Sequence, residues 1–90
     1  LNASNNLLKN LKGIEKISNL EVLQLHNNIV KLEDISDLKD LKHLKYIITK
    51  KSIPERYHQF LNEWGDIDGR ENVEKLQEFL LLEDELKKDN

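Results

Sequence analysis

Asp66, Asp68 and Gly69, in the run "GDIDGRENVE", are the first place to look for a bound cation, because alternating carboxylates ahead of a glycine begin a calcium loop. An EF-hand loop needs acids at positions 1, 3, 5 and 12 with glycine at 6. Setting Gly69 at the sixth position puts Trp64 at the first and Lys75 at the twelfth, so no calcium site is expected. Asp68 is expected to cap a helix instead. His26, His43 and His58 are too scattered for a metal signature of the H-E-x-x-H kind and read as surface residues. Ser4, Ser18, Ser36 and Ser52 sit in turn or capping contexts without a G-x-S-x-G elbow. The chain has 3 glycines, and none builds a phosphate-cradling loop. These readings imply a protein without catalytic residues, cofactor or metal, and direct attention to binding surfaces.

The elements that would present such a surface follow from an unusual spacing. Aliphatic residues recur at every third position: Leu8, Leu11, Ile14, Ile17 and Leu20, then Leu32, Ile35, Leu38, Leu41, Leu44 and Ile47. An α-helix turns about 100° per residue, so a step of three slips by about 60° and carries the row around the helix. No single helix buries such a row. Short turns of 3₁₀ type do repeat every three residues. Self-similarity supplies a second clue. Laying "NLEVLQLHNN" (Asn19 to Asn28) over "DLKHLKYIIT" (Asp40 to Thr49) aligns Leu20 with Leu41, Leu23 with Leu44, Leu25 with Tyr46 and Asn28 with Thr49, an offset of 21 residues. From Leu20 the chain reads L-x-x-L-x-L-x-x-N-x-V, through Leu23, Leu25, Asn28 and Val30.

On those residues the chain resembles the leucine-rich repeat family, in its short form of phosphatase regulatory subunits and internalin-like proteins. The resemblance covers about residues 8 to 49. It implies an α/β fold: a short solenoid of coils over 1–49, the first partial, with Asn28 in a turn that bonds neighbouring backbone and a 3₁₀-rich convex return. Tyr46 and Thr49 depart from the pattern and suggest that the last coil begins there. Residues 50–90 then read as a helical C-terminal cap in the same domain. "SIPE" from Ser52 spells a capping box, and Tyr57, Phe60, Leu61 and Trp64 form one stripe of a helix that stops at Gly65. "DGRE" opens a second helix from about Glu71 to Lys87, with Val73, Leu76, Phe79 and Leu80 on its inner face. Leu81 lies off that face and calls for a second neighbour, either the solenoid itself or another chain.

Composition limits the partners. The 90 residues are 38% hydrophobic and 34% charged and lack cysteine, which fits one small domain in the cytoplasm. No apolar run approaches the roughly 18 residues of a membrane span, and the first residues, from Leu1 rather than Met, do not spell a signal peptide. The chain reads as a fragment or mini-solenoid, with an uncapped N-terminal edge prone to self-association. Residues 1–50 carry 8 lysines against 6 acids, and 51–90 carry 6 basic residues against 11 acids. That imbalance disfavours nucleic acid. The resemblance implies a protein-binding module that uses its concave strand face. Alternation along the strands and the 21-residue offset would gather Val22, Gln24, His26, His43, Lys45 and Ile47 into one patch for a protein partner. The alternative is a small helical homo-oligomer with a structural or regulatory role, such as an inhibitor or immunity protein.

Overall fold

The computed structural model describes residues 11–25 and 34–88. Three short strands, β1 (Val22–Gln24), β2 (Tyr46–Ile48) and β3 (Asp66–Asp68), form one sheet in the order β1-β2-β3. β1 and β2 are parallel, while β2 and β3 are antiparallel. One α-helix, α1 (Arg70–Lys88), and three 3₁₀ segments, η1 (Ile14–Lys16), η2 (Ser36–Asp40) and η3 (Glu55–Phe60), complete the described elements.

The spacing of three has a direct physical origin. Ile14, Ile17 and Leu20 each donate their N–H to the carbonyl of the aliphatic residue three before, at 2.9–3.1 Å, starting from Leu11. Leu38, Leu41 and Leu44 do the same from Ile35, at 3.0–3.3 Å. Successive i→i+3 turns therefore return every third side chain to the interior, so that Ile35, Leu38, Leu41 and Leu44 are all buried. Ile17 alone in the first series is turned outward, at 39% exposure.

The expected leucine-rich repeat solenoid is not the architecture found. The described residues form a three-stranded mixed sheet with one long helix, and β3 runs against its neighbour instead of adding another parallel coil. The expected first coil falls partly, and Asn28 wholly, outside the described residues. The 21-residue register is also corrected. Val22 pairs with Tyr46, Leu23 with Ile47 and Gln24 with Ile48, an offset of 24. A shift of three is odd, so it exchanges the two faces of the second strand. Ile47 consequently lies in the core, between Leu23 and Ile67, and Tyr46 faces the other way.

The expected two-helix cap is replaced by a 3₁₀ segment, a strand and a helix. Pro54 (φ −55°, ψ 145°) leads into η3 without a side-chain cap, and Leu61 (φ −87°, ψ 145°) is already extended, so the first predicted helix ends after two turns. With three residues per turn, Tyr57 and Phe60 share a side, whereas Leu61 and Trp64 leave it. Tyr57 is fully buried and Trp64 is 65% exposed. Asn62 fixes this exit: its Oδ1 accepts the N–H groups of Trp64 and Asp66, and its own N–H donates to Asp66 O. The chain then enters β3, between the two stretches expected to be helical. α1 begins close to its predicted start, and there Asn72, not Asp68, supplies the side-chain bond, through Nδ2 to Asp68 O at 2.8 Å.

A tight turn joins β2 to this region. Ser52 N–H donates to Thr49 O at 2.9 Å, and the two central residues, Lys50 and Lys51, have φ of 46° and 68°. Positive φ at both central positions is the requirement of a type I′ turn, normally met by Asn-Gly. Side chains with a Cβ are strained there by about 1–2 kcal/mol each. The turn is held from across the sheet, since Gly65 O accepts from Thr49 N, Lys50 N and Thr49 Oγ1. Gly65 is itself at φ 79°, where an added Cβ would meet Lys50 Cα at 2.9 Å. Lys51→Gly should therefore raise stability by about 0.5–1 kcal/mol, the relief being reduced by glycine's greater backbone entropy when unfolded. A rise in denaturant midpoint at constant slope is the expected signature; a fall would show that the turn is not strained at Lys51.

Candidate functional site: the uncovered sheet face

Alternation places the middle row of the sheet, Leu23, Ile47 and Ile67, in the core. The rows on either side present their side chains to the opposite face. One is Val22–Tyr46–Asp68 and the other Gln24–Ile48–Asp66. Val22, Gln24, Tyr46 and Ile48 are half-buried, Asp68 is exposed and Asp66 is 5% exposed. Lys50, in the turn after β2, reaches this face through its ammonium, and Trp64 stands in the turn that precedes β3.

The polar groups of this face are organised around Asp66. Its Oδ2 accepts the Tyr46 hydroxyl at 3.2 Å and Lys50 Nζ at 3.3 Å, while Lys50 Nζ also donates to Trp64 O at 3.0 Å. Partial burial raises the Tyr46 phenol above its usual pKa, and the nearby Asp66 and Asp68 carboxylates add to that effect. The ammonium of a strained-turn lysine is thus held over a nearly buried carboxylate and the Trp64 carbonyl, while the Trp64 side chain is 65% exposed. Beside it, along β3, is a cavity of about 290 Å³ between η3 and α1, lined in part by Asn62, Asp68, Asn72 and Lys75.

Of the six residues expected to form the partner patch, the structure brings two together. Val22 and Gln24 lie on the uncovered face. Ile47 is corrected to a core residue. His43 and Lys45 are exposed but precede β2, and Lys45 is occupied by Glu21, Nζ to Oε1 at 3.0 Å. His26 lies outside the described residues. Tyr46, Ile48, Trp64 and the Asp66–Lys50 pair were missed. A signal for the first two exists in the chain: "NLEVLQL" laid over "HLKYIIT" matches Leu20 with Leu44, Leu23 with Ile47, and Glu21 with its ion-pair partner Lys45.

The remaining polar clusters serve the scaffold. Arg70 Nη1 donates to Leu41 O and Leu44 O, and Gln77 Nε2 donates to Leu38 O and Leu41 O, so α1 binds the carbonyls left by η2 and its continuation. Arg56, Tyr57 and Glu83 join η3 to α1. His58 Nε2 lies 2.9 Å from Ile53 O. Among the described residues no group of three or more His, Cys, Asp or Glu side chains is placed to hold a metal ion, and no helix is long and apolar enough to cross a membrane.

Fold and site together define a small mixed α/β domain with one sheet face that no element among the described residues covers. Comparison with protein-family models, with curated proteins and with solved structures finds no match to this chain.

Proposed function

We propose that this chain is a non-catalytic, cytoplasmic protein-recognition module whose binding surface is the uncovered face of the sheet. The observation that carries the reading is Trp64, the chain's single tryptophan, 65% exposed in the turn that leads into β3, with its carbonyl held by Lys50 next to a face that presents Val22, Gln24, Tyr46 and Ile48. Tryptophan and tyrosine are the side chains that most often dominate binding energy at protein interfaces, because they bury a large area with few rotors to order. The face is also built to be rigid. Its tyrosine is tied to Asp66, and Asp66 to Lys50, so little conformational freedom is lost on docking.

The chemistry of the face describes its partner: apolar groups to cover Val22, Ile48 and the indole, and a cation to meet Asp68, which forms no ion pair among the described residues. A polyphosphate is a poor fit to a face carrying Asp66 and Asp68. Absence of cysteine agrees with a reducing cytoplasm.

The test is affinity purification from cells of the source, with the captured protein then titrated against purified variants. Trp64→Ala with Gln24→Lys should weaken binding at least tenfold while leaving the circular dichroism spectrum unchanged, since neither side chain is buried. Full affinity in that double variant would remove the sheet face as the binding surface.

A further inference from the structure

The outer side of α1 carries a second pattern. Leu81, Leu82 and Leu86 are 43%, 58% and 66% exposed, on a helix whose inner side is already occupied by Val73, Leu76 and Leu80. Phe79, Leu82 and Leu86 are spaced by three and then four, which are the a, d and a positions of a heptad seam. Phe79 is half-buried, with its ring against Phe60 and Tyr57, so the seam runs continuously from the core to the surface. In the same frame Glu71, Glu78 and Glu85 occupy three successive g positions. All three are exposed, and none forms an ion pair among the described residues.

The sign of that column selects the occupant. In two-stranded helical pairing, residues at g meet e of a parallel partner or g of an antiparallel one. An antiparallel second copy of this chain would bring glutamates against glutamates, which specifies against pairing, and a parallel one would offer them no cation, since the e residue in reach is Glu83, itself held by Arg56. An anionic lipid surface is repelled for the same reason. A helix with basic residues at its flanking positions pairs every one of the three glutamates.

We propose that the outer face of α1 docks an amphipathic basic helix of a protein partner, with Leu82 and Leu86 as the apolar seam and Glu71, Glu78 and Glu85 as the charge column. The proposal is independent of the sheet-face reading, because it uses residues on another element. The a and d positions before Phe79 are Asn72 and Lys75, so the apolar seam spans little more than one heptad, and affinity is governed by the charge match as much as by area.

The probe is a synthetic three-heptad peptide with Ile at a, Leu at d and Lys at e and g, compared with one carrying Glu at e and g, each titrated calorimetrically into the full chain at low salt. The lysine peptide should bind at least tenfold more tightly than the glutamate peptide. Glu78→Lys with Glu85→Lys should invert that preference, and Leu82→Asp should weaken lysine-peptide binding at least tenfold with an unchanged circular dichroism spectrum. Trp64→Ala should leave peptide binding intact, which separates this surface from the sheet face. The proposal is overturned if the lysine peptide does not bind, if both peptides bind alike, or if Leu82→Asp binds as wild type. It is equally overturned if sedimentation shows a dimer of wild-type chains that Leu82→Asp dissociates, because the occupant is then a second copy.

Discussion

Tyr57→Ala should cost about 3–5 kcal/mol, the range for deleting a large buried aromatic side chain. Tyr57 is 1% exposed, and its ring meets Phe79 edge-on with centroids 5.9 Å apart. Its hydroxyl donates to Glu83 Oε1 at 2.5 Å and accepts from Arg56 Nη2 at 2.6 Å, while Arg56 Nε donates to Glu83 Oε2 at 2.8 Å. One side chain therefore fills the gap between η3 and α1 and also closes a three-member polar ring. A domain of this size has about 5–13 kcal/mol of stability in all, so the variant should sit near its unfolding midpoint. Tyr57→Phe separates the two contributions: it keeps the packing and should cost about 1–3 kcal/mol for the stranded polar groups. Burial first, and then the bond to Glu83, push the phenol's pKa well above its ordinary 10.0. A group with a raised folded pKa contributes its full stability below the unfolded value and loses it as pH climbs beyond that value. Stability should therefore fall as pH rises above about 10, and Tyr57→Phe should flatten that part of the curve. A Tyr57→Ala loss below about 1 kcal/mol in denaturant melts would show that the ring is not a core residue.

The spacing of three was readable because it is a local property, set by i→i+3 hydrogen bonds that each close within one turn. The start of α1 was readable for a similar reason: an apolar stripe from Val73 to Leu80 opens at a glycine. The sheet was not readable in the same way. Its strands are three residues each, too short for pattern to fix a register, and the repeat spelling points to an offset of 21 where the strands pair at 24. The choice mattered because an odd slip inverts a strand; it sent Ile47 to the surface and Tyr46 to the interior, against what the structure shows. β3 was missed because "DID" contains a single apolar residue between two acids, and its pairing is decided by a strand 20 residues away. Trp64 was assigned to a helical stripe that requires 3.6 residues per turn, whereas η3 has three and ends at Phe60.

Gln77→Leu should cost about 1–2 kcal/mol even though it adds apolar volume to a buried position. Gln77 is 6% exposed on the inner side of α1; its Nε2 donates to Leu38 O and Leu41 O, each at 2.8 Å, and its Oε1 accepts Arg70 Nη2 at 2.9 Å. The carbonyls belong to the backbone of η2 and the turn that follows, so no side-chain substitution can remove them along with their donor. Each carbonyl keeps the N–H donor three residues on, and Leu41 O also keeps Arg70, but each loses a short second bond that an apolar side chain cannot replace. Arg70 does not replace the loss. Its Nη1 already serves Leu41 O and Leu44 O, and its Nη2 loses the acceptor that orients the guanidinium. Arg70 and Gln77 should therefore be coupled, and a double-mutant cycle of Arg70→Ala and Gln77→Leu should show about 1 kcal/mol of interaction. The same two residues fix α1 against the 3₁₀ row and thereby determine which of its sides looks outward. If Gln77→Leu is neutral or stabilising while Arg70→Ala is costly, the seam between α1 and η2 is held by packing, and the glutamine is a passenger in it.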